Sequence, residues 1–79
     1  MTNLEKYNRI FAETFQMAPE ALNDEFSKES AENWDSLRQL SLVTELENSF
    51  EILFDTEDIL GLDSYKVGKE ILGKYNIEL

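Results

Sequence analysis

The chain has 79 residues, no cysteine and no histidine, and its formal net charge of −10 comes from 17 acidic residues against 7 basic ones. This composition excludes disulfide bonds, thiolate or histidine metal sites, and nucleophilic catalysis by Ser-His-Asp or Cys-His groups. A chain this short forms one domain, which we expect to span residues 1–79. Its acidic surface would repel nucleic acid and anionic lipid, and would attract a basic patch on a partner protein.

The N-terminus carries no apolar run of the signal-peptide type. No stretch of the sequence approaches the roughly 20 apolar residues that a membrane span requires. The lack of cysteine fits a reducing compartment. We therefore expect a soluble, cytoplasmic and monomeric protein.

The first predicted helix runs from Leu4 to Met17. Its apolar residues repeat at the spacing of one helix face, at Leu4, Tyr7, Phe11 and Phe15. Pro19 should end this helix, because proline cannot continue a helix interior. The polar segment 18–33 should then form a long connection anchored by Leu22 and Phe26, with one short helical turn near Pro19.

The second predicted helix begins at Asp35 or Ser36 and runs to about Phe50. One stripe of this helix is apolar and should face the core, at Leu42, Val43, Leu46 and Phe50. Leu37 projects outside the stripe, and Leu40 lies at its border. An exposed leucine beside a serine at a helix start suggests contact with a partner.

A short third helix should follow an acidic turn, with Asp55 as its cap and Gly61 ending it in a left-handed conformation. The fourth helix should begin at Ser64. Its apolar face should contain Val67, Ile71, Leu72 and Tyr75. Gly68 would allow a neighbouring helix to approach closely, and only the segment 50–54 could pass for a strand. The pattern predicts an all-α bundle of three main helices and one short helix, with a long first loop.

Two similar dipeptides precede predicted helices: Asp35–Ser36 and Asp63–Ser64. Either serine could cap its helix by accepting a backbone hydrogen bond. A helix N-terminus also favours a phosphate group, so a phosphodiester on either hydroxyl would be stabilised there. These arguments do not distinguish the two serines. The twelve residues from Asp55 do not form a calcium loop, because Leu60 stands where glycine is needed and Lys66 where the final glutamate is needed.

The segment DSLRQLSLVTELENSFEI, residues 35–52, resembles the signature of acyl carrier proteins. The resemblance includes Asp-Ser-Leu, the apolar register of the following helix, and the length and acidity of the whole chain. It implies an acyl-carrier-like four-helix bundle that is not itself an enzyme. It also implies that Ser36 carries 4′-phosphopantetheine from coenzyme A, and that a phosphopantetheinyl transferase recognises Asp35. Ser64 would then be the structural cap of the last helix.

The resemblance further implies that the chain holds acyl or aminoacyl groups as thioesters. It would present them to loading ligases, synthases or transferases. The expected partner face comprises Leu37, Leu40, Thr44, Glu45, Glu51, Asp55 and Asp58. A short acyl chain could lie between the helices, lined by Val43, Leu46, Leu53, Ile59 and Ile71, although a core without a cavity fits the sequence equally well.

Trp34 and Arg38 distinguish this chain from typical fatty-acid carriers, which usually have an acidic residue directly after Asp-Ser-Leu. They favour a dedicated carrier in specialised or surface-glycan metabolism. An alternative function is an acidic helical adaptor that has a carrier-like fold but binds its partner without a prosthetic group. The presence or absence of the arm on protein from its own cell would distinguish the two.

Overall fold

A computed structural model describes every residue from Met1 to Leu79 and contains four α-helices and no β-strand. The helices are α1 (Asn3–Phe15), α2 (Ser36–Phe50), α3 (Thr56–Gly61) and α4 (Tyr65–Lys74). A single 3₁₀ turn, Pro19–Ala21, interrupts the long connection between α1 and α2. The prediction of an all-α bundle is therefore confirmed, and the segment 50–54 is the end of α2 and a link. None of the helices combines the length and apolar character needed to cross a bilayer.

α1 is fixed at both ends by local backbone chemistry. Thr2 Oγ1 accepts a hydrogen bond from the Glu5 amide at 3.1 Å, and the Glu5 carboxylate accepts one from the Thr2 amide at 3.2 Å. This reciprocal pair is a capping box. At the other end Gln16 takes a left-handed conformation with φ of 54°, and the Met17 amide bonds to the Ala12 carbonyl at 2.9 Å. The helix therefore ends before Met17, two residues earlier than predicted.

The core lies where α1, α2 and α4 meet. The predicted stripe of α2 is buried, and α1 and α4 contribute most of the remaining large side chains: Tyr7, Ile10, Phe11, Phe15, Tyr65, Ile71 and Leu72. Trp34 is also buried and packs on Phe15 and Phe11, with ring centroids 4.7 and 6.0 Å apart. Leu22 and Phe26 are half-buried against this cluster, so the predicted anchors of the first loop are confirmed.

α1 and α2 each provide a cation that satisfies the C-terminal carbonyls of the other helix. Lys6 Nζ donates to the Ser49 carbonyl oxygen at 2.8 Å and lies 4.7 Å from the centroid of the Phe50 ring. Arg38 Nη1 donates to the Thr14 carbonyl oxygen at 2.6 Å. The last carbonyls of a helix lack intrahelical donors and carry partial negative charge, so cations are favourable there. These two contacts tie opposite ends of the helix pair together.

The end of α3 differs from the prediction. Gly61 is the last helical residue and does not have positive φ, because the chain leaves α3 at Leu62 with φ of −77° and ψ of 89°. Leu62 is buried, and this turn brings its side chain into the core. Asp55 occupies the capping position as predicted, although its side chain makes no capping hydrogen bond.

The predicted close approach at Gly68 is confirmed. A Cβ atom at this position would lie 2.1 Å from the Tyr7 hydroxyl oxygen and 3.2 Å from Leu62 Cδ1. The Tyr7 hydroxyl in turn donates to the Tyr65 carbonyl oxygen at 2.5 Å. α4 therefore packs on α1 at a distance that only glycine permits at residue 68.

Candidate functional site

Ser36 is the first residue of α2, and its neighbour Asp35 is the N-cap. The Asp35 carboxylate accepts a hydrogen bond from the Arg38 amide at 2.9 Å, and the Asp35 carbonyl accepts one from Gln39 at 2.9 Å. The cap is therefore complete without the serine. Ser36 is exposed, and its hydroxyl has no hydrogen-bond partner within the protein. A nucleophilic oxygen is thus available to solvent at the start of a long helix.

Ser64 is placed differently, because it is itself the N-cap of α4. Its Oγ accepts a hydrogen bond from the Val67 amide at 3.0 Å, and the residue is half-buried. An isolated antiparallel bridge joins Ser64 to Ser27. The Lys28 amide donates to the Asp63 carbonyl at 2.7 Å. The prediction that Ser64 is a structural cap is confirmed.

The N-terminus of α2 suits a phosphate group attached to Ser36. The amides of Ser36 and Leu37 are in the first turn and have no intrahelical acceptor, and the positive end of the helix dipole lies beside them. No acidic residue occupies the first turn of the helix itself. The Arg38 guanidinium, which follows the site in sequence, is bound to the C-terminus of α1. The residues present therefore fit a phosphodiester on Ser36 through backbone groups.

Two apolar side chains lie exposed close to Ser36. Leu37 is 76% exposed, as predicted, and Leu40 is 62% exposed, so it lies outside the core and not at its border. The other predicted contact residues of α2 and its end are also exposed: Thr44, Glu45 and Glu51. This face combines apolar side chains and carboxylates, and no lysine or arginine occurs between Arg38 and Lys66.

One member of the predicted partner face is misplaced. Asp58 is only 7% exposed, and its two carboxylate oxygens accept hydrogen bonds from Lys74 Nζ and the Tyr75 hydroxyl, each at 2.6 Å. The hydrogen bonds from Lys74 and then Tyr75 hold the pKa of Asp58 below its ordinary value. Asp58 therefore joins α3 to the end of α4 and does not face a partner. Asp55 is exposed, as expected for the partner face.

The residues expected to shelter an acyl chain do not all come together. Val43, Leu46 and Ile71 are buried in the core and Ile59 is half-buried, but Leu53 is 82% exposed. Leu53 belongs to the link between α2 and α3, where Ile52 and Phe54 are the residues that turn toward the core. The prediction that Leu53 lines an acyl-chain site is therefore wrong.

Gln39 was not identified from the sequence, although it contacts two parts of the site. Its Oε1 accepts a hydrogen bond from Trp34 Nε1 at 2.6 Å, and its Nε2 donates to the Ile59 carbonyl oxygen at 2.8 Å. A buried tryptophan usually finds an acceptor for its indole N–H, and this requirement is the signal that pointed to a nearby polar side chain. Asn33 was also missed: its Nδ2 donates to the Phe15 carbonyl oxygen at 3.0 Å.

The comparisons with known proteins add no relative to this picture. No protein-family model matches the sequence, and no curated protein matches it significantly. The interpretation of the site therefore depends on its geometry and on the residues themselves.

Proposed function

We propose that the protein is a carrier that holds acyl or aminoacyl intermediates as thioesters on a 4′-phosphopantetheine arm attached to Ser36. The observation that carries this proposal is the free, exposed hydroxyl of Ser36 at the start of α2. Because Asp35 supplies the cap, modification of the serine would cost α2 none of its capping hydrogen bonds. An exposed leucine directly follows the serine.

Attachment requires Ser36 Oγ to form a bond to the phosphorus of the pantetheine phosphate. The bond from that phosphorus to the nucleotide part of coenzyme A breaks, and the serine proton leaves with the transferase acting as base. The product is a phosphodiester that keeps a negative charge beside the free amides of Ser36 and Leu37. Those amides and the helix dipole would stabilise this charge.

The arm supplies a thiol, which this cysteine-free chain lacks, and the thiol carries the cargo as a thioester. The chain itself binds the arm, orients its base at the helix terminus and presents it to other proteins. A flexible tether on a docked carrier keeps the cargo at high effective concentration near the partner's active site. In this role the protein itself would supply no catalytic residue.

The exposed side of α2 would meet the partner enzymes. Leu37 and Leu40 would supply apolar contact, while Thr44, Glu45, Glu51 and Asp55 form a polar and acidic rim. Such a face suits a basic, partly apolar surface on a phosphopantetheinyl transferase or on an acyl-loading ligase, synthase or transferase. The sequence differences at Trp34 and Arg38 would place such a carrier in a specialised pathway of the cytoplasm, and in the structure both residues have structural contacts, Trp34 in the core and Arg38 at the end of α1.

The proposal is tested by incubation with coenzyme A and a broad-specificity phosphopantetheinyl transferase, followed by intact-mass measurement. The wild type should gain the mass of one arm, and Ser36→Ala should gain none. Ser64→Ala is the matched control, because it removes the second Asp-Ser hydroxyl, and it should be modified like the wild type. An unmodified wild type, or loss of modification in Ser64→Ala alone, would contradict the assignment.

A second candidate is an adaptor that binds its partner without a prosthetic group. The exposure of Leu37 and Leu40 favours it, since these side chains would suit a protein contact with or without the arm. The intact mass of the protein purified from its own cell separates the two: an unmodified chain throughout growth would favour the adaptor.

A further inference from the structure

α3 is held in place mainly by polar contacts. It has six residues, and its only buried residue is the carboxylate Asp58. Leu60 is 80% exposed, and Ile59 is half-buried against the core. Because apolar burial is the main source of stability for most helices, a short helix with this little burial depends on specific hydrogen bonds for its position.

One set of these contacts joins α3 to the end of α4. Lys74 and the Tyr75 hydroxyl donate to Asp58, and the Asp55 amide donates to the Tyr75 hydroxyl oxygen at 2.8 Å. These contacts fix the N-terminal half of α3, from Asp55 to Asp58, against the end of α4. None of these contacts joins α3 to α2 directly.

Two side chains of α2 connect it to this region: the Glu47 carboxylate accepts a hydrogen bond from the Phe54 amide of the link at 2.8 Å, and the side-chain amide of Gln39 bonds to α3 itself. Trp34 determines the orientation of this amide, because the indole N–H needs an acceptor and therefore bonds to Oε1. The NH₂ group must then face the Ile59 carbonyl, at 2.8 Å. The Leu62 amide also donates to the Ile59 carbonyl oxygen, but at 3.4 Å this hydrogen bond is weaker. Trp34 itself belongs to an aromatic cluster, with the Phe15 and Phe26 centroids 4.7 and 5.7 Å away.

We infer that Gln39 is a positioning residue, which holds α3 at a set place beside the N-terminal half of α2. Through this amide, the segment that leads into Ser36 is joined to α3, the helix that carries the exposed Leu60. Partner enzymes of a carrier would then meet Ser36, Leu37 and Leu60 in one fixed arrangement. The role of Gln39 in presenting the site to partners rests on the proposed function, whereas the coupling of α3 to α2 by Gln39 does not.

Two substitutions separate the two hydrogen bonds. Gln39→Met keeps the length of the side chain and removes both bonds. Gln39→Glu keeps an acceptor for Trp34 but at neutral pH has no donor for Ile59. Asn48→Asp is the matched control, because it adds the same charge at an exposed carboxamide of the same helix.

The measurements on the unmodified protein are amide hydrogen exchange and the indole N–H resonance of Trp34. In Gln39→Met, amides 59–62 should exchange roughly tenfold faster, as expected for loss of about one hydrogen bond, and the indole resonance should shift upfield. In Gln39→Glu the same amides should also exchange faster, while the indole resonance stays downfield. Asn48→Asp should change neither, and amides 68–72 of α4 should keep their protection in all three variants.

Arm transfer provides the functional readout. Both Gln39 variants should raise the KM of the transferase for the carrier several-fold and leave kcat within about twofold, because the reacting hydroxyl itself is intact. Unchanged exchange of amides 59–62 in Gln39→Met would overturn the coupling, as would equal loosening of α4. Loosened amides with an unchanged KM would overturn the role in presenting the site. If the wild type accepts no arm at all, the proposed function fails, while the exchange data still decide the coupling.

Discussion

The two Asp-Ser dipeptides occupy helix starts in registers that differ by one residue. At α2 the aspartate is the N-cap and the serine is the first helical residue, whereas at α4 the serine is the N-cap and the aspartate precedes it. Consequently Ser36 keeps a free hydroxyl, and the hydroxyl of Ser64 accepts the Val67 amide. Whether a serine hydroxyl at a helix start is free therefore depends on its position relative to the N-cap, and composition does not reveal that position.

The surroundings of each helix set this register. Before α2, buried Trp34 and the bond from Asn33 to the Phe15 carbonyl fix the chain so that Asp35 meets the first turn. At α4, Tyr65 is buried, its amide bonds to the Phe26 carbonyl at 2.9 Å, and its hydroxyl donates to Asn8. Placing Tyr65 as the first helical residue leaves Ser64 in the capping position.

The largest loss of stability is expected from Gly68→Ala, which disrupts the packing that fixes the start of α4. The new Cβ would lie 2.1 Å from the Tyr7 hydroxyl, whose ring is fully buried and cannot move aside. Overpacking and the lost Tyr7 hydrogen bond should cost about 3 kcal/mol, and the better helix propensity of alanine returns about 1 kcal/mol. Denaturant unfolding should therefore show a net loss of about 2 kcal/mol.

Gly73→Ala is the matched control on the same helix. A Cβ at Gly73 meets no atom within 4 Å, so only the propensity gain applies. This variant should be more stable than the wild type by up to about 1 kcal/mol. Equal effects of the two substitutions would show that the contact between α1 and α4 does not determine the placement of α4.

A smaller effect on the free energy of unfolding is expected from replacing the two serines themselves. Ser64→Ala removes the cap of α4 and should lower the free energy of unfolding by about 1 kcal/mol. Ser36→Ala removes a hydroxyl without a hydrogen bond and should change it by less than about 0.5 kcal/mol, with a slight gain possible from helix propensity. Chemical denaturation of both variants measures the difference. A comparable loss in both would mean that Ser36 also caps, and the contrast would disappear.

Low pH should distinguish the two connections of α3. One is the bond of Asp58 to the end of α4, and the other is the bond of Gln39 from α2 to Ile59. The pKa of Asp58 is lowered by its hydrogen bonds from Lys74 and Tyr75, so its contribution to stability is present above its ordinary value of 3.8 and is lost as pH falls through the lower folded value. The amides of α3 should therefore loosen below about pH 3.8. In Asp58→Asn this step should be absent at every pH, and the Gln39 contact should not titrate. A wild-type profile that matches Asp58→Asn would refute this role of the carboxylate.

The sequence predicts the features of this fold that depend on local periodicity. The four helices, the buried stripe of α2, the exposure of Leu37 and the need for glycine at residue 68 all follow from spacing and residue type. The sequence leaves two possibilities for the hydroxyl of Ser36: it caps α2, or it is free. Capping by Asp35 decides between them, because tertiary contacts that the sequence pattern does not show set the first helical residue.

The features that the sequence does not reveal are side-chain bonds to carbonyl groups of other helices. Gln39, Arg38 and Asn33 all make such bonds, and their partners Ile59, Thr14 and Phe15 are far away in the chain. The sequence predicts Asp58 to be a surface acid, and this is wrong because α3 is too short to show a periodic pattern that would mark a buried position. The predicted left-handed end at Gly61 is wrong for a different reason: the burial of Leu62, a tertiary contact, directs the chain there.

The two cations that join α1 and α2 also restrict how these helices can move. Packed helices commonly shift by sliding along their axes, and small sliding of this kind underlies shear motions. Here the bonds from Lys6 to Ser49 and from Arg38 to Thr14 lie at opposite ends of an antiparallel pair. A displacement of either helix along its axis would stretch both bonds together. α1 and α2 should therefore behave as one rigid pair, and axial sliding between them should not contribute to the motions of the bundle.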